Sequence, residues 1–232
     1  MIFGFDVISD LNLAEDTLFD WTGKPTSLYC IVAGNVCKDM LTLHRVLRHL
    51  GKHYQGVFFI EGGLEHTDVL YDRDERIKEI TKICESVKNA VFLHNNVVVI
   101  DGVALVGING WYGNYDATTP DDKFQVRAYR YEDIIYLEKT IERLQLHVDV
   151  RKIVVISSSL PSDTFYFGEQ HAQDPDLYPS YTLIYDTENK VSHWVYGSHK
   201  KEVDITLGNV NYLNNPCFDK KPYYPKRFQV VI

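Results

Sequence analysis

No two cysteines in this chain have the spacing of a zinc ribbon or a redox motif. Cys30, Cys37, Cys84 and Cys217 contain no C-x-x-C pair. Cys30 and Cys84 fall within apolar patterns, so they read as thiols of a reducing compartment rather than as a disulfide framework. No apolar run approaches the roughly 18 residues of a membrane span, and no basic leader precedes an apolar stretch. A cytoplasmic location, or one within a soluble assembly, is the resulting expectation. Positive charge is scarce too. The formal net charge of −8 argues against broad binding to a phosphate backbone, so nucleic acid is not an expected partner. Internal repeats, low-complexity tracts and interdomain linkers are also missing. The 232 residues, 45% of them hydrophobic, suffice for one buried core, and a single domain over 1–232 is expected.

What the chain does have is one pattern used repeatedly: a hydrophobic strand that runs into small and polar residues. It occurs over residues 2–13, ending Ser9-Asp10-Leu11-Asn12, and over 29–35, ending Gly34-Asn35. It recurs over 57–65, ending Glu61-Gly62-Gly63-Leu64-Glu65, and over 153–161, around Ser157-Ser158-Ser159. A late copy at 193–200 ends Gly197-Ser198-His199-Lys200, and Asn215-Pro216 follows. Open α/β sheets place ligands at the carboxyl ends of their strands, so any chemistry is expected at these polar ends. Apolar residues at helical spacing predict amphipathic helices over 40–50 and 74–89, flanking the third strand. From residue 91 the period changes. Two apolar runs joined by Asp101-Gly102 predict a β-hairpin and the start of an antiparallel region. A long helix follows, with Tyr129, Ile134, Leu137, Ile141, Leu144 and Leu146 as its apolar stripe and Asp133 outside it. A polar loop over 161–181 precedes short strands near 193–196, 203–206, 210–213 and 227–231.

Taken end to end, these strand ends resemble the calcineurin-like metallophosphoesterases over nearly the whole chain. Active members of that family carry Asp-X-His, Gly-Asp, Gly-Asn-His-Glu, a lone histidine and Gly-His-X-His at these places. The corresponding residues here are Asp10-Leu11-Asn12, Gly34-Asn35, Gly62-Gly63-Leu64-Glu65, Ser158 and Gly197-Ser198-His199-Lys200. The resemblance implies an α/β four-layer α/β/β/α sandwich of two mixed β-sheets. It also implies a chemistry in which two divalent cations clamp a phosphate and supply a hydroxide, held by carboxylates and imidazoles. Asp10 alone keeps the expected ligand type. Asn12, Asn35, Ser158 and Ser198 replace ligands, Gly63 has no side chain, Leu64 stands at the place of the catalytic histidine, and Lys200 brings a cation where a ligand belongs. The expectation is therefore a pseudoenzyme with no resident cofactor, kept as a scaffold, binding or structural subunit. The alternative is a phosphoesterase or phosphodiesterase with a reduced metal site, using manganese, iron or zinc.

Single residues allow other readings. His66 and His199 lie near lost ligand positions and could rescue a mononuclear site, but neighbouring positions on a strand face opposite ways. The serine run lacks the glycine-flanked elbow of a catalytic nucleophile. Asp10, deprived of cations, needs another partner: Lys200 is placed to pair with it or with Asp6, or else turns to solvent. In the first case Asn12, Asn35 and Ser158 would complete a neutral hydrogen-bond network. Sixteen tyrosines point toward contact surfaces. A protein partner or self-association is expected, through Tyr178 and Tyr181 of the long loop or through Lys220, Lys221, Tyr223, Tyr224, Lys226 and Arg227.

Overall fold

The strands read as continuous apolar runs because both of their faces are covered. In the computed structural model, which describes residues 1–21, 24–67, 72–111, 120–162, 165, 181–218 and 223–232, Val7, Ile31 and Phe58 face one way and Ile8, Val32 and Phe59 the other. The elements in chain order are β1 (Ile2–Ile8), β2 (Tyr29–Ala33), α1 (Met40–Leu50), β3 (Gly56–Ile60) and a single 3-10 turn (Leu64–His66). Then come α2 (Arg73–Ser86), β4 (Ala90–Phe92), β5 (Asn96–Ile100), β6 (Val103–Ile108), α3 (Pro120–Gln145) and β7 (Lys152–Ser157). The chain continues through β8 (Val191–Tyr196), β9 (Asp204–Leu207), β10 (Val210–Leu213) and β11 (Lys226–Val231).

Two mixed sheets result. The first has the order β11-β1-β2-β3-β4 and the second β5-β6-β7-β8-β10-β9. In the first, β1 to β4 run parallel and β11 returns antiparallel along β1, with Ile2 opposite Val231. In the second, β6, β7, β8 and β10 run parallel between antiparallel edge strands. One core lies between the sheets, joining Phe5, Val7, Ile31 and Phe58 to Leu105, Val154, Ile156 and Val195. A second lies under α1 and α2, and a third under α3. This is the expected α/β/β/α layering.

Local signals account for the elements. Asp39 caps α1 through its Oδ2, which accepts the Thr42 N–H at 2.7 Å. The Asp101-Gly102 turn has φ of 46° and 92° at its two residues, the left-handed pair that a two-residue hairpin needs, and it joins β5 to β6. The α3 stripe buries Leu137, Ile141 and Leu144, but Leu146 is exposed. Asp133, expected outside the stripe, is fully buried on the core side. Its Oδ2 accepts the Gly110 N–H at 2.7 Å and its Oδ1 the Asn95 amide at 2.9 Å, which is what makes burial of a carboxylate tolerable there. All four cysteines are buried free thiols. Among the described residues no helix is long and apolar enough to cross a membrane.

Candidate functional site

The polar ends of β1, β2, β3 and β8 converge at one edge of the sandwich. Asp10, Asn12, Asn35 and Ser198 all take left-handed backbone, with φ of 52°, 46°, 55° and 56°. Such conformations cost a non-glycine residue free energy and gather where chains turn sharply around a site. Backbone hydrogen bonds lock the turns together: Asp10 N–H to Gly34 O and Asn12 N–H to Asn35 O, both 3.0 Å. Two glycines permit the close approach. A Cβ on Gly197 would lie 2.1 Å from the Ala33 carbonyl oxygen, and one on Gly34 would lie 2.6 Å from the Ser158 Cβ.

Within this knot the Asn35 amide is central. Its Nδ2 donates to Asp10 Oδ1 at 2.8 Å and to Ser198 Oγ at 2.9 Å, while its Oδ1 accepts the Leu64 N–H at 3.1 Å. Asp10 Oδ1 also accepts the Ser198 N–H at 2.9 Å. Burial pushes the Asp10 carboxyl up to about 6, against the pull of the Asn35 amide and its other donors. Its Oδ2 is buried without a hydrogen bond of normal geometry, while the Ser9 hydroxyl and the Ser198 and His199 backbones also act to lower the pKa.

Glu65 holds the neighbouring loop. Its carboxylate accepts four backbone N–H groups, from Val36 at 2.6 Å, Gly62 at 2.7 Å, and Asn35 and Cys37 at 3.1 Å. Burial raises its pKa to about 7 in spite of those donors. The remaining expected positions are scattered. Ser158 is buried and donates to the Asn109 carbonyl at 3.0 Å, outside the Asp10 network. Asn12 is exposed, Gly63 and Leu64 are half-buried, and Lys200 is exposed. Lys200 makes no ion pair with Asp10 or Asp6, so of the two placements expected for it the solvated one holds. Asp6 instead accepts from the Thr26 N–H at 2.8 Å, the Thr26 hydroxyl and the Tyr54 hydroxyl at 2.9 Å.

The expected contact residues divide by environment. Tyr178, Lys220 and Lys221 lie outside the described residues. Tyr223 is buried and stacks on Phe19 at 5.6 Å, and Tyr181 packs against Trp194 at 5.5 Å. Lys226 is held by Glu202 at 2.8 Å and Asp204 at 3.2 Å. Tyr224 and Arg227 are exposed.

A second polar cluster escaped the sequence reading. Glu61, after β3, is fully buried and meets His94, after β4, and His66 of the 3-10 turn. Its only sequence signal is a carboxylate at the end of a run as apolar as Val57-Phe58-Phe59-Ile60, where a charge needs a partner. As the side chains stand, no three His, Cys, Asp or Glu residues among the described residues form a group that could hold a metal ion.

The architecture is the two-sheet α/β fold of the metallophosphoesterase type. Among solved structures, the phosphopantetheinyl hydrolase of Mycobacterium tuberculosis matches with a TM-score of 0.66 at 15% identity, covering 97% of this chain and 95% of that one. A proposed 5′-nucleotidase of Staphylococcus aureus matches with a TM-score of 0.56 at 9% identity, covering 92% of this chain and 48% of the other. No family model and no curated protein sequence matches. At such identities the likeness establishes the fold and leaves the chemistry to the residues.

Proposed function

We propose that this chain is a metallophosphoesterase-fold protein that acts by binding, as a scaffold or structural subunit of a larger assembly, and not by two-metal hydrolysis. The orientation of the Asn35 amide carries this reading. A bridging ligand must turn lone pairs toward two cations, whereas Asn35 turns N–H donors toward Asp10 Oδ1 and Ser198 Oγ. Rotating the amide would set its oxygen against the Asp10 carboxylate and its NH2 against the Leu64 N–H, so the network fixes it. Asn12, Ser158 and Ser198 supply no imidazole and Gly63 supplies nothing. A dinuclear centre of the kind the fold family implies does not fit these residues. Exposed Tyr224 and Arg227, at the start of the last strand, support contact with a protein partner or a second copy of the chain.

The test is metal content of the purified protein, followed by phosphodiester hydrolysis with added manganese and by light scattering for self-association. The expected result is no stoichiometric metal and no turnover. Two bound metal equivalents with turnover abolished by Asp10→Ala would overturn it. One observation favours a second reading, hydrolysis by a single cation: Asp10 Oδ2 has no aligned hydrogen-bond donor. One metal equivalent with activity lost in Asp10→Ala would select it.

A further inference from the structure

Glu61 is fully buried, and a carboxylate survives there only with compensation. Two chain segments are involved, residues 61–66 and the turn after β4. His94 brings Nδ1 to 2.5 Å from Glu61 Oε1, and His66 brings Nε2 to 3.7 Å from the same oxygen. His66 is 1% exposed, its ring centroid 4.8 Å from that of Trp111, and neither of its nitrogens has a hydrogen-bond partner. Glu61 Oε2 has none either. The other charged or titratable groups facing the cluster come from the two long helices and from the segment that precedes β8. From α2 come Arg73, stacked on Tyr129 at 3.9 Å, and Cys84; from α3 comes Asp133, with Arg130 and Tyr181 beside it. Directly after Glu61 lie Gly62 and Gly63, the two residues of this segment freest to hinge.

The charge balance is narrow. Glu61 and a protonated His94 neutralise one another, while His66 adds a second imidazole without a hydrogen bond. A neutral His94 would offer the buried Glu61 carboxylate a hydrogen bond in place of a charged partner, leaving only the more distant His66 imidazole, 3.7 Å away, as a source of positive charge. The segment is also wired to the candidate site, since Leu64 N–H holds Asn35 Oδ1 and Glu65 holds Asn35 to Cys37.

We propose that Glu61, His66 and His94 form a proton-operated latch on residues 61–67, closed while His94 is protonated and released when it loses that proton. The release would loosen the Asn35 amide network without any ligand. Electrostatics agree in direction. Burial works against a charged His94, but Glu61 and Asp133 outweigh it and hold the imidazole above its ordinary range, with Arg73 opposing. Burial also works against a charged Glu61, and the two imidazoles overcome it, keeping the carboxyl well below the usual range. The latch is therefore closed in mild acid and opens as pH rises through the raised His94 value.

Hydrogen exchange of the intact protein tests this without reference to metal or activity. After correction for intrinsic exchange, protection of residues 61–67 should fall at least about tenfold between about pH 6 and about pH 8.5, while the β7 amides stay protected. Glu61→Gln, which keeps the shape and removes the charge, should abolish the part of that pH dependence that follows the His94 titration, leaving only the part that follows Glu65, which titrates near 7. Imidazole nitrogen shifts of the wild type provide the measurement that needs no variant: His94 should titrate in step with the exchange. Protection of 61–67 constant within about twofold over that range, or a His94 that titrates below its ordinary value near 6.5, overturns the latch.

Discussion

Asn35 Nδ2 stands 2.8 Å from Asp10 Oδ1, so this buried carboxylate is matched by an amide dipole where a charge would be expected. A partial charge compensates a full one incompletely, and the raised Asp10 pKa is the result. Asn35→Asp replaces the donor with a second carboxylate. The expected loss is about 2–4 kcal/mol at neutral pH, shrinking as the pair shares a proton near pH 5. Urea unfolding at the two pH values measures it, and a variant as stable as wild type at pH 7.5 contradicts it.

Lys200→Ala should cost less than about 0.5 kcal/mol, because the side chain is exposed and no ion pair joins it to Asp10. A drop of several degrees in melting temperature would mean that the ammonium does reach the carboxylate in solution.

Glu65→Ala removes the acceptor of four backbone N–H groups at once. A loss of at least about 3 kcal/mol is expected by chemical denaturation, with Glu65→Gln intermediate.

The pH dependence balances two sets of groups: burial lowers His193 to about 4 and also lowers His49, so these two gain stability as pH rises toward the ordinary 6.5, while the raised carboxyls act the other way and outnumber them. Asp10 and Asp133, both raised to about 6, and Glu65, raised to about 7, hold protons in the folded state that the unfolded chain gives up. Their contribution is complete below the ordinary values of 3.8 for Asp and 4.5 for Glu, and is lost as pH rises through 6 to 7. His94, also raised, adds a loss in the same direction at higher pH. Glu61, depressed, works oppositely and matters only as pH falls below 4.5. Calorimetry should find the melting temperature at least about 3 °C higher at about pH 5.5 than at about pH 8. A flat or rising profile would show that these carboxyls are not held as described.

Tyr223 and Tyr224 separate packing from surface. Tyr223→Ala should cost about 3–5 kcal/mol through the cavity it leaves beside Phe19. Tyr224, 64% exposed, should tolerate alanine within about 0.5 kcal/mol, so that a partner lost in Tyr224→Ala marks a contact and not a folding defect.

The parts of the fold that were legible in the sequence are those written in local periodicity. The apolar spacing over Met40–Leu50 coincides with α1, and Asp101-Gly102 turns where its φ preferences demand. Where partners are distant, the signal fades. Strand β4, only three residues long, has no period of its own and exists because β3 lies beside it. Asp133 looks solvated by helical spacing, yet Asn95 and the Gly110 N–H, brought in by other elements, make its burial tolerable. The strand ends of the candidate site were legible as polar punctuation, and aspartate and asparagine at positions 10, 12 and 35 suit left-handed turns. The direction of the Asn35 amide was not legible, because it depends on Leu64 and Ser198, which only the folded chain brings near.

The position of β1 inside its sheet sets an order of assembly. It pairs on one flank with β2, a near neighbour in sequence, and on the other with β11, the last strand of the chain. During synthesis β1, β2 and β3 can associate early, but the outer flank of β1 keeps its N–H and C=O groups open until residues 226–231, more than two hundred positions later, have been made. Such an edge is a template for pairing with another nascent copy, so truncations that remove only residues 226–231 are expected to aggregate in expression trials instead of yielding a smaller folded protein.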